Sequence, residues 1–571
     1  MTDPIVLLLV GIGVVIGAIL WLRLHAFLAL ALAALIVGFL TPKFNRLANG
    51  LEMTGFHSAG NATESGQIVE IPIPQKKKKH LRVGLHLVAK RLEGQVASVG
   101  ELKVIEIAKD SRAGQQNNRL VAKAEVIRFE PGYSLRKTDV LLSESAELEA
   151  ITKSNQVIGS LVAEGFGQTC AKVGIIIAMA AIIGTCLLES GAADRIVRSA
   201  LGLCGEKRSP YALSASSFVL GIPVFFDTVF YLMIPLAKAL ASRTGKNYLL
   251  YVLAIIAGGS MTHSLVPPTP GPLLVAGELG VDVGQMIIGG LTVGIFGMIG
   301  GFIYAHWANN RWPMEVRPGE GTSTEDLKAM AARSDEELPN LWLSLAPIIL
   351  PVILIAGHSV LKQIIISEPA GNAQALLSIM GVLGDKNLAL TLGAGLALWL
   401  LAKSGPRQGK ELGQAVRKSL GSAGSIILIT GMGGAFGGIL QQTGIGSEVS
   451  AWIEESGMGL TGLLLVAFFV TVVIRIAQGS ATVAMITAVG IVGGMVEPNG
   501  GYWIGYVALA IGCGAKPFPW MNDSGFWVVG RLAGFTEGET LKTFSCIISL
   551  LGIVGIIVTI LLANIWPNFI F

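Results

Sequence analysis

The sequence predicts an all-α integral membrane protein built from two repeats with broken helices and re-entrant segments, plus an inserted small β-rich soluble module. Three observations carry that class. Only 14% of the 571 residues are charged and 52% are hydrophobic, with a mean hydropathy of +0.64, whereas soluble domains carry about 25% charged residues. Apolar runs close to the roughly 20 residues that a bilayer requires recur along the chain. Finally, the stretch Ala257-Gly258-Gly259-Ser260-Met261-Thr262-His263-Ser264-Leu265-Val266-Pro267-Pro268-Thr269-Pro270-Gly271-Pro272 lies between two such runs. Its four prolines remove backbone donors and clash with the preceding turn, and its glycines permit strained angles, so the whole stretch is expected to leave the helix. Broken backbone at bilayer depth is tolerated only where protein buries it or a polar cavity solvates it.

In chain order, residues 1–42 form an N-terminal transmembrane hairpin around Leu22-Arg23-Leu24-His25. The first span has no basic n-region and no small-residue cleavage site, so it reads as a retained span rather than a signal peptide. Residues 43–142 are polar. Within them Lys76-Lys77-Lys78-Lys79 is a candidate for anionic headgroups or a solvated linker. The alternating Leu102-Lys103-Val104-Ile105-Glu106-Ile107 and Ala122-Lys123-Ala124-Glu125-Val126-Ile127-Arg128-Phe129, stopped by Pro131-Gly132, read as strands. An amphipathic helix follows from Ser143, the serine serving as N-cap. Residues 143–307 make a first apolar repeat, 308–340 a hydrophilic linker, and 341–571 a second repeat. The five cysteines show no paired spacing and are expected in the core. The net charge of +4 gives no sign of a nucleic-acid partner.

The two halves match at one offset without a gap. Leu188-Glu189-Ser190-Gly191 falls on Gln441-Gln442-Thr443-Gly444 (444 − 191 = 253), and Asp227 falls on Ser480 (480 − 227 = 253). His263 falls on Lys516, and the proline-rich break falls on Trp520-Met521-Asn522-Asp523-Ser524. Paired irregular polar elements in two halves are the best pointer in a sequence to a transporter's site; the similarity itself leaves inverted and parallel repeats open, an odd number of crossings per repeat would invert them, and inverted topology is the expectation here.

At these residues the chain resembles the gluconate permease (GntP) family of proton-coupled organic-anion transporters. Gly221-Ile222-Pro223 with the following aromatic pair and acid, and Thr262-His263 with Pro267-Pro268 and Pro270-Gly271-Pro272, resemble its first-half signatures. Arg475-Ile476-Ala477 with Gly479-Ser480-Ala481-Thr482-Val483-Ala484, and Asn522-Asp523-Ser524-Gly525-Phe526-Trp527, resemble those of its second half. The departures are Asp227 for the family's glutamate, Thr269 and Trp520 for two of its histidines, and Lys516-Pro517 where it commonly has apolar residues. The resemblance implies transport of a small sugar acid or hydroxy-carboxylate, a homodimer and the plasma (inner) membrane.

The substrate carboxylate is expected at Gly479, Ser480, Thr482 and near Thr262 and Ser264, with Thr228 and Asn522 available to substrate hydroxyls and Ser524 a further substrate-binding residue. Asp227 or Asp523 would take the proton, and His263 adds a titratable group at the break. Arg475 either meets the substrate or ties down carbonyls at the break. Lys516 has three open roles: substrate cation, partner of Asp523, or snorkelling surface group. No P-loop is present, so an ion gradient, of protons or sodium, is expected to drive the cycle, with no cofactor. No HExxH or G-x-S-x-G motif points to an enzyme. A membrane-embedded ligand sensor, in which the insertion reports binding, is the alternative of a different class.

Overall fold

The computed structural model describes residues 3–22, 24–73, 81–92, 95–109, 120–317, 338–364, 372–404, 409–445, 459–493, 504–521 and 523–566. The lysine run at 76–79 and Asn522 lie outside the described residues. Among those described, seven helices are long and apolar enough to cross a membrane, or up to nine if two sharply bent helix pairs each count as one span.

The chain opens with a hairpin, α1 (Pro4–Leu20) and α2 (Ala26–Leu40), and turns sharply into the amphipathic α3 (Lys43–Thr54). Pro42 as N-cap supplies no amide to continue α2. Six strands follow among the described residues: β1 (Phe56–His57), β2 (Ile68–Ile73), β3 (His86–Leu92), β4 (Val96–Lys109), β5 (Leu120–Phe129) and β6 (Val140–Leu142). They form one antiparallel sheet in the order β1-β6-β3-β4-β5-β2. The amide of Ala59, just past β1, donates to Glu70 O of β2 at 2.7 Å, so the sheet curls until its two edges nearly meet. Leu87, Leu102, Val104, Ala122 and Val126 fill the interior, which is separate from the bundle's core. Arg91 holds the fully buried Asp139 through two hydrogen bonds of 2.9 Å. The exposed Lys123–Glu106 pair at 2.8 Å raises the lysine's pKa through that hydrogen bond, yet being solvated it adds little stability.

The helix α4 (Glu144–Asn155) begins where the sequence puts it, Ser143 Oγ accepting from the Ala146 amide at 3.3 Å. It packs on α3 through Leu51, Val140, Leu142 and Ala150, which joins the sheet to the bundle. Asn45 of α3 donates to Thr443 O at 3.1 Å.

The first apolar half comprises α5 (Ile158–Glu189), α6 (Ala192–Cys204), α7 (Ser209–Leu220), α8 (Phe226–Thr244), α9 (Tyr248–Leu265), α10 (Pro270–Leu279) and α11 (Val283–Arg311). The second comprises α12 (Leu341–Ile364), α13 (Asn372–Leu383), α14 (Lys386–Lys403), α15 (Gly409–Gln441), α16 (Gly459–Gln478), α17 (Ala481–Val492), α18 (Ile504–Gly514) and α19 (Ser524–Ala533). It ends with the single turn α20 (Glu537–Thr540), a π-turn and α21 (Cys546–Ile565). Contacts between the halves come in matched sets. α5 packs on α15, α9 on α18 and α11 on α21, while α10 lies against α17 and α19 lies against α8.

One expectation about the break is corrected. α9 continues unbroken to Leu265, and only residues 266–269 leave the helix before Pro270 starts α10. Gly258 and Gly259 are helical and serve close approach: a Cβ on Gly258 would stand 2.0 Å from Ser214 O of α7, and one on Gly259 would stand 2.6 Å from Ser217 Oγ. Gly258→Ala is therefore expected to cost at least about 1–3 kcal/mol of stability through overpacking. Gly277→Ala in α10, where a Cβ meets nothing within 4 Å, should be neutral or slightly stabilising. Thermal unfolding of the detergent-purified protein compares the two, and equal midpoints would refute this account. The cysteines also divide: Cys186 and Cys513 are buried, whereas Cys546 is exposed.

Candidate functional site

The ends of α8, α9, α16, α17, α18 and α19 converge on one interior point. In the first half, α7 stops at Leu220, and 221–225 lead into α8, whose first turn carries Asp227. Gly221 allows the crossing with α9, because a Cβ there would meet Thr262 Oγ1 at 2.4 Å. In the second half, α16 stops at Gln478, Gly479 adopts φ +77°, and Ser480 caps α17 by accepting from the Val483 amide at 3.3 Å. Positive φ is the conformation that glycine supplies without strain. α9 and α18 end nearby, at the proline break and at Ala515-Lys516-Pro517, and Asp523 caps α19 by accepting from the Gly525 amide at 2.7 Å.

These ends enclose a cavity of about 270 Å³, just below the roughly 300–1,000 Å³ of drug-sized ligand sites. Asp227, His263, Ser264, Arg475, Gly479, Ser480, Thr482, Lys516, Asp523 and Ser524 all line it. Two expected residues do not. Thr262 is fully buried, its hydroxyl donating to Gly259 O at 3.3 Å against Gly221, and Thr228 lies on α8 away from the lining. Both fail for one reason: on a helix, neighbours of a lining residue point about 100° away. Asn522 falls outside the described residues, so its place at the site is not assigned.

The charged groups are arranged unequally. Arg475, 4% exposed, donates Nε to Ala515 O at 2.9 Å, one Nη to Gly479 O and the other to Asp523 Oδ2. One guanidinium thus ties together the α16–α17 break, the end of α18 and the cap of α19. Lys516, 1% exposed, donates Nζ to Ser260 O at 2.5 Å, Ser260 Oγ at 3.0 Å and Ser264 Oγ at 3.2 Å. It is neither a surface group nor, among the described residues, bonded to a carboxylate. Asp227 accepts only a hydrogen bond of 3.3 Å from Ser524 Oγ among the described residues. His263 meets Phe225 edge to face at 5.9 Å, and its Nδ1 is buried without a hydrogen-bond partner among the described residues.

Ser260 and Thr430 are lining residues that sequence reading missed. Ser260 had a signal: it precedes Ser264 by four positions, one turn up the same face. Thr430 had none, since a lone threonine in the apolar α15 reads as packing; its Oγ1 is buried and unpartnered among the described residues.

Comparison with known proteins follows the same stretches. Residues 143–565 match the model of the GntP family permease. An uncharacterized permease of Haemophilus influenzae is 33% identical over 380 residues, 66% of this chain and 77% of that protein. A gluconate permease of Pseudomonas aeruginosa is 32% identical over 425 residues, 74% and 90% of the two chains. The low-affinity gluconate transporter of Escherichia coli K12 is 30% identical over 405 residues, 70% and 87% of the two. In fold, the chain is similar to the crystal structure of the Alcanivorax borkumensis YdaH transporter, described as having an unusual topology. The TM-score is 0.51 at 13% identity, with 76% of this chain and 93% of that one covered. The family match over residues 143–565 and these permease relatives show that the chain belongs to the GntP permease family and is a multi-pass inner-membrane permease, with seven or more candidate spans among the described residues, not an enzyme.

Proposed function

We propose that this permease carries a small sugar acid such as gluconate together with a proton, by alternating access around the cavity at 227, 263, 475, 480, 516 and 523. The observation that carries the reading is the charge inventory of that cavity. Arg475 and Asp523 cancel each other, which leaves one cation, Lys516, and one carboxylate, Asp227, without a charged partner among the described residues. A proton on Asp227 leaves Lys516 uncompensated, and one substrate carboxylate then restores neutrality. The amino end of α17 lines the same cavity and, capped by a neutral serine, favours an anion there as well. At the matching position of the first half, α8 carries its own acid, Asp227. Ser480, Thr482 and Ser524 line the cavity as partners for substrate hydroxyls.

The two halves are read as inverted repeats, 143–307 and 341–571. Matched contacts support a two-fold relation: like elements pack on each other, and α10 on α17 mirrors α19 on α8. Rocking one half against the other would open the shared cavity to each side in turn.

One proton with one monoanion moves no net charge, so the pH difference alone drives accumulation, at about 1.4 kcal/mol per unit. The purified protein in proteoliposomes should take up gluconate when the outside is acidified, and an imposed membrane potential should change neither rate nor plateau. Uptake that follows a sodium gradient and ignores pH would replace the proton with sodium. Binding without counterflow would mark a ligand sensor instead.

A further inference from the structure

We infer that the hydroxyls of Ser260 and Ser264, polarised and aimed by Lys516, are the direct ligands of the substrate's carboxylate, and that Lys516 is a positioning residue which does not itself touch it. The inference deepens the proposed function and rests on it for the chemical class of the ligand.

An ammonium has three donors and no acceptor. All three donors of Lys516 are taken, by Ser260 O, Ser260 Oγ and Ser264 Oγ at 2.5, 3.0 and 3.2 Å. A carboxylate could bond the ammonium only by displacing one of these oxygens. Each serine oxygen, having accepted from Lys516, keeps one proton of its own to donate.

Hydroxyls on helices usually turn that proton back to the carbonyl four residues earlier. Thr292, Thr471 and Thr559 do so here at 2.7–2.8 Å. Ser260 and Ser264 have no such bond among the described residues. For Ser264 the carbonyl in question is Ser260 O, which already accepts from Lys516 at 2.5 Å. Both residues line the cavity, Ser260 7% and Ser264 2% exposed, and with no carbonyl taking their protons among the described residues, the proposed arrangement aims those protons into it. Two O–H donors one helical turn apart, backed by a buried cation, suit the two oxygens of a carboxylate, because hydrogen bonds to an ionised acceptor are the strong ones.

The test uses the full chain in nanodiscs, with Kd measured for D-gluconate and for a panel of shorter carboxylates, and with the uncharged hexitol D-sorbitol as control. Ser260→Ala and Ser264→Ala should each weaken carboxylate binding roughly 10- to 100-fold, the loss that goes with one hydrogen bond to a charged group. The double variant should no longer distinguish gluconate from sorbitol, and Lys516→Met should lose the same discrimination. If Lys516 were the direct ligand, freeing its donors would leave the serine variants with unchanged or tighter affinity, and that result overturns the inference. So does a wild-type protein that binds none of the carboxylates. Should Lys516→Met fail to fold, the serine variants alone decide, since each removes one oxygen and leaves the lysine in place. Carboxylate binding lost in the double serine variant, with no proteoliposome uptake by the wild type, would keep this site and remove the transporter reading. Wild-type uptake with unaltered serine variants would do the reverse.

Discussion

Replacing Asp227 by asparagine is expected to abolish accumulation of substrate against its gradient while leaving substrate exchange across the membrane intact. The side chain lines the cavity from the first turn of α8 and, among the described residues, accepts one long hydrogen bond, from Ser524 Oγ. Among the described residues it is the lining carboxylate without a cation bonded to it, since Asp523 is held by Arg475. Asparagine keeps the shape and an acceptor for Ser524 but cannot pick up or release a proton. With one proton per substrate, a one-unit pH difference supports about tenfold accumulation. In Asp227→Asn proteoliposomes that ratio should fall to about one, with counterflow of labelled against unlabelled gluconate persisting. Continued uphill uptake by the variant would show that the proton travels on another group.

Arg475→Met should be the most destabilising single change at the site and should also eliminate transport. Its three hydrogen bonds reach three separate chain segments, so the guanidinium holds the broken backbone in register. Removing it leaves Asp523, 7% exposed, without its cation, and breaking a buried pair from one side costs about 3–5 kcal/mol. Adding Asp523→Asn should recover much of that stability, because the orphaned charge disappears, yet the carbonyls of Ala515 and Gly479 remain untied and uptake should stay lost. Arg475→Lys should not rescue it, since a single ammonium cannot reproduce a planar fork spread over three acceptors. Thermal unfolding of the four proteins in a double-mutant cycle, alongside uptake, measures both effects. Wild-type uptake by Arg475→Lys would refute the clamp.

Much of the site was legible because its signals are local. Prolines at 267, 268, 270 and 272 cannot sustain a helix in any surroundings, and Gly479 is followed by a serine suited to cap what comes next. Four isolated charges in an apolar chain had to be paired or turned to a cavity, whatever the fold. Local rules overreached at the glycines: the sequence around Gly258 and Gly259 reads as a loosened helix, and only the nearness of α7 explains why small residues stand in a regular one. They also had no means of dropping Thr228 and Thr262, whose side chains differ from those of lining neighbours by a rotation about the helix axis.

By itself, then, the sequence determined that the chain is a membrane protein, where its helices must break and which few polar groups had to be accommodated there, because backbone chemistry and the cost of charge in lipid act residue by residue. Only the tertiary structure decided the partners. Arg475 reaches Asp523 across 48 residues and Lys516 reaches Ser260 across 256, and a hydrogen bond depends on angstroms of separation in space, which spacing along the chain does not encode.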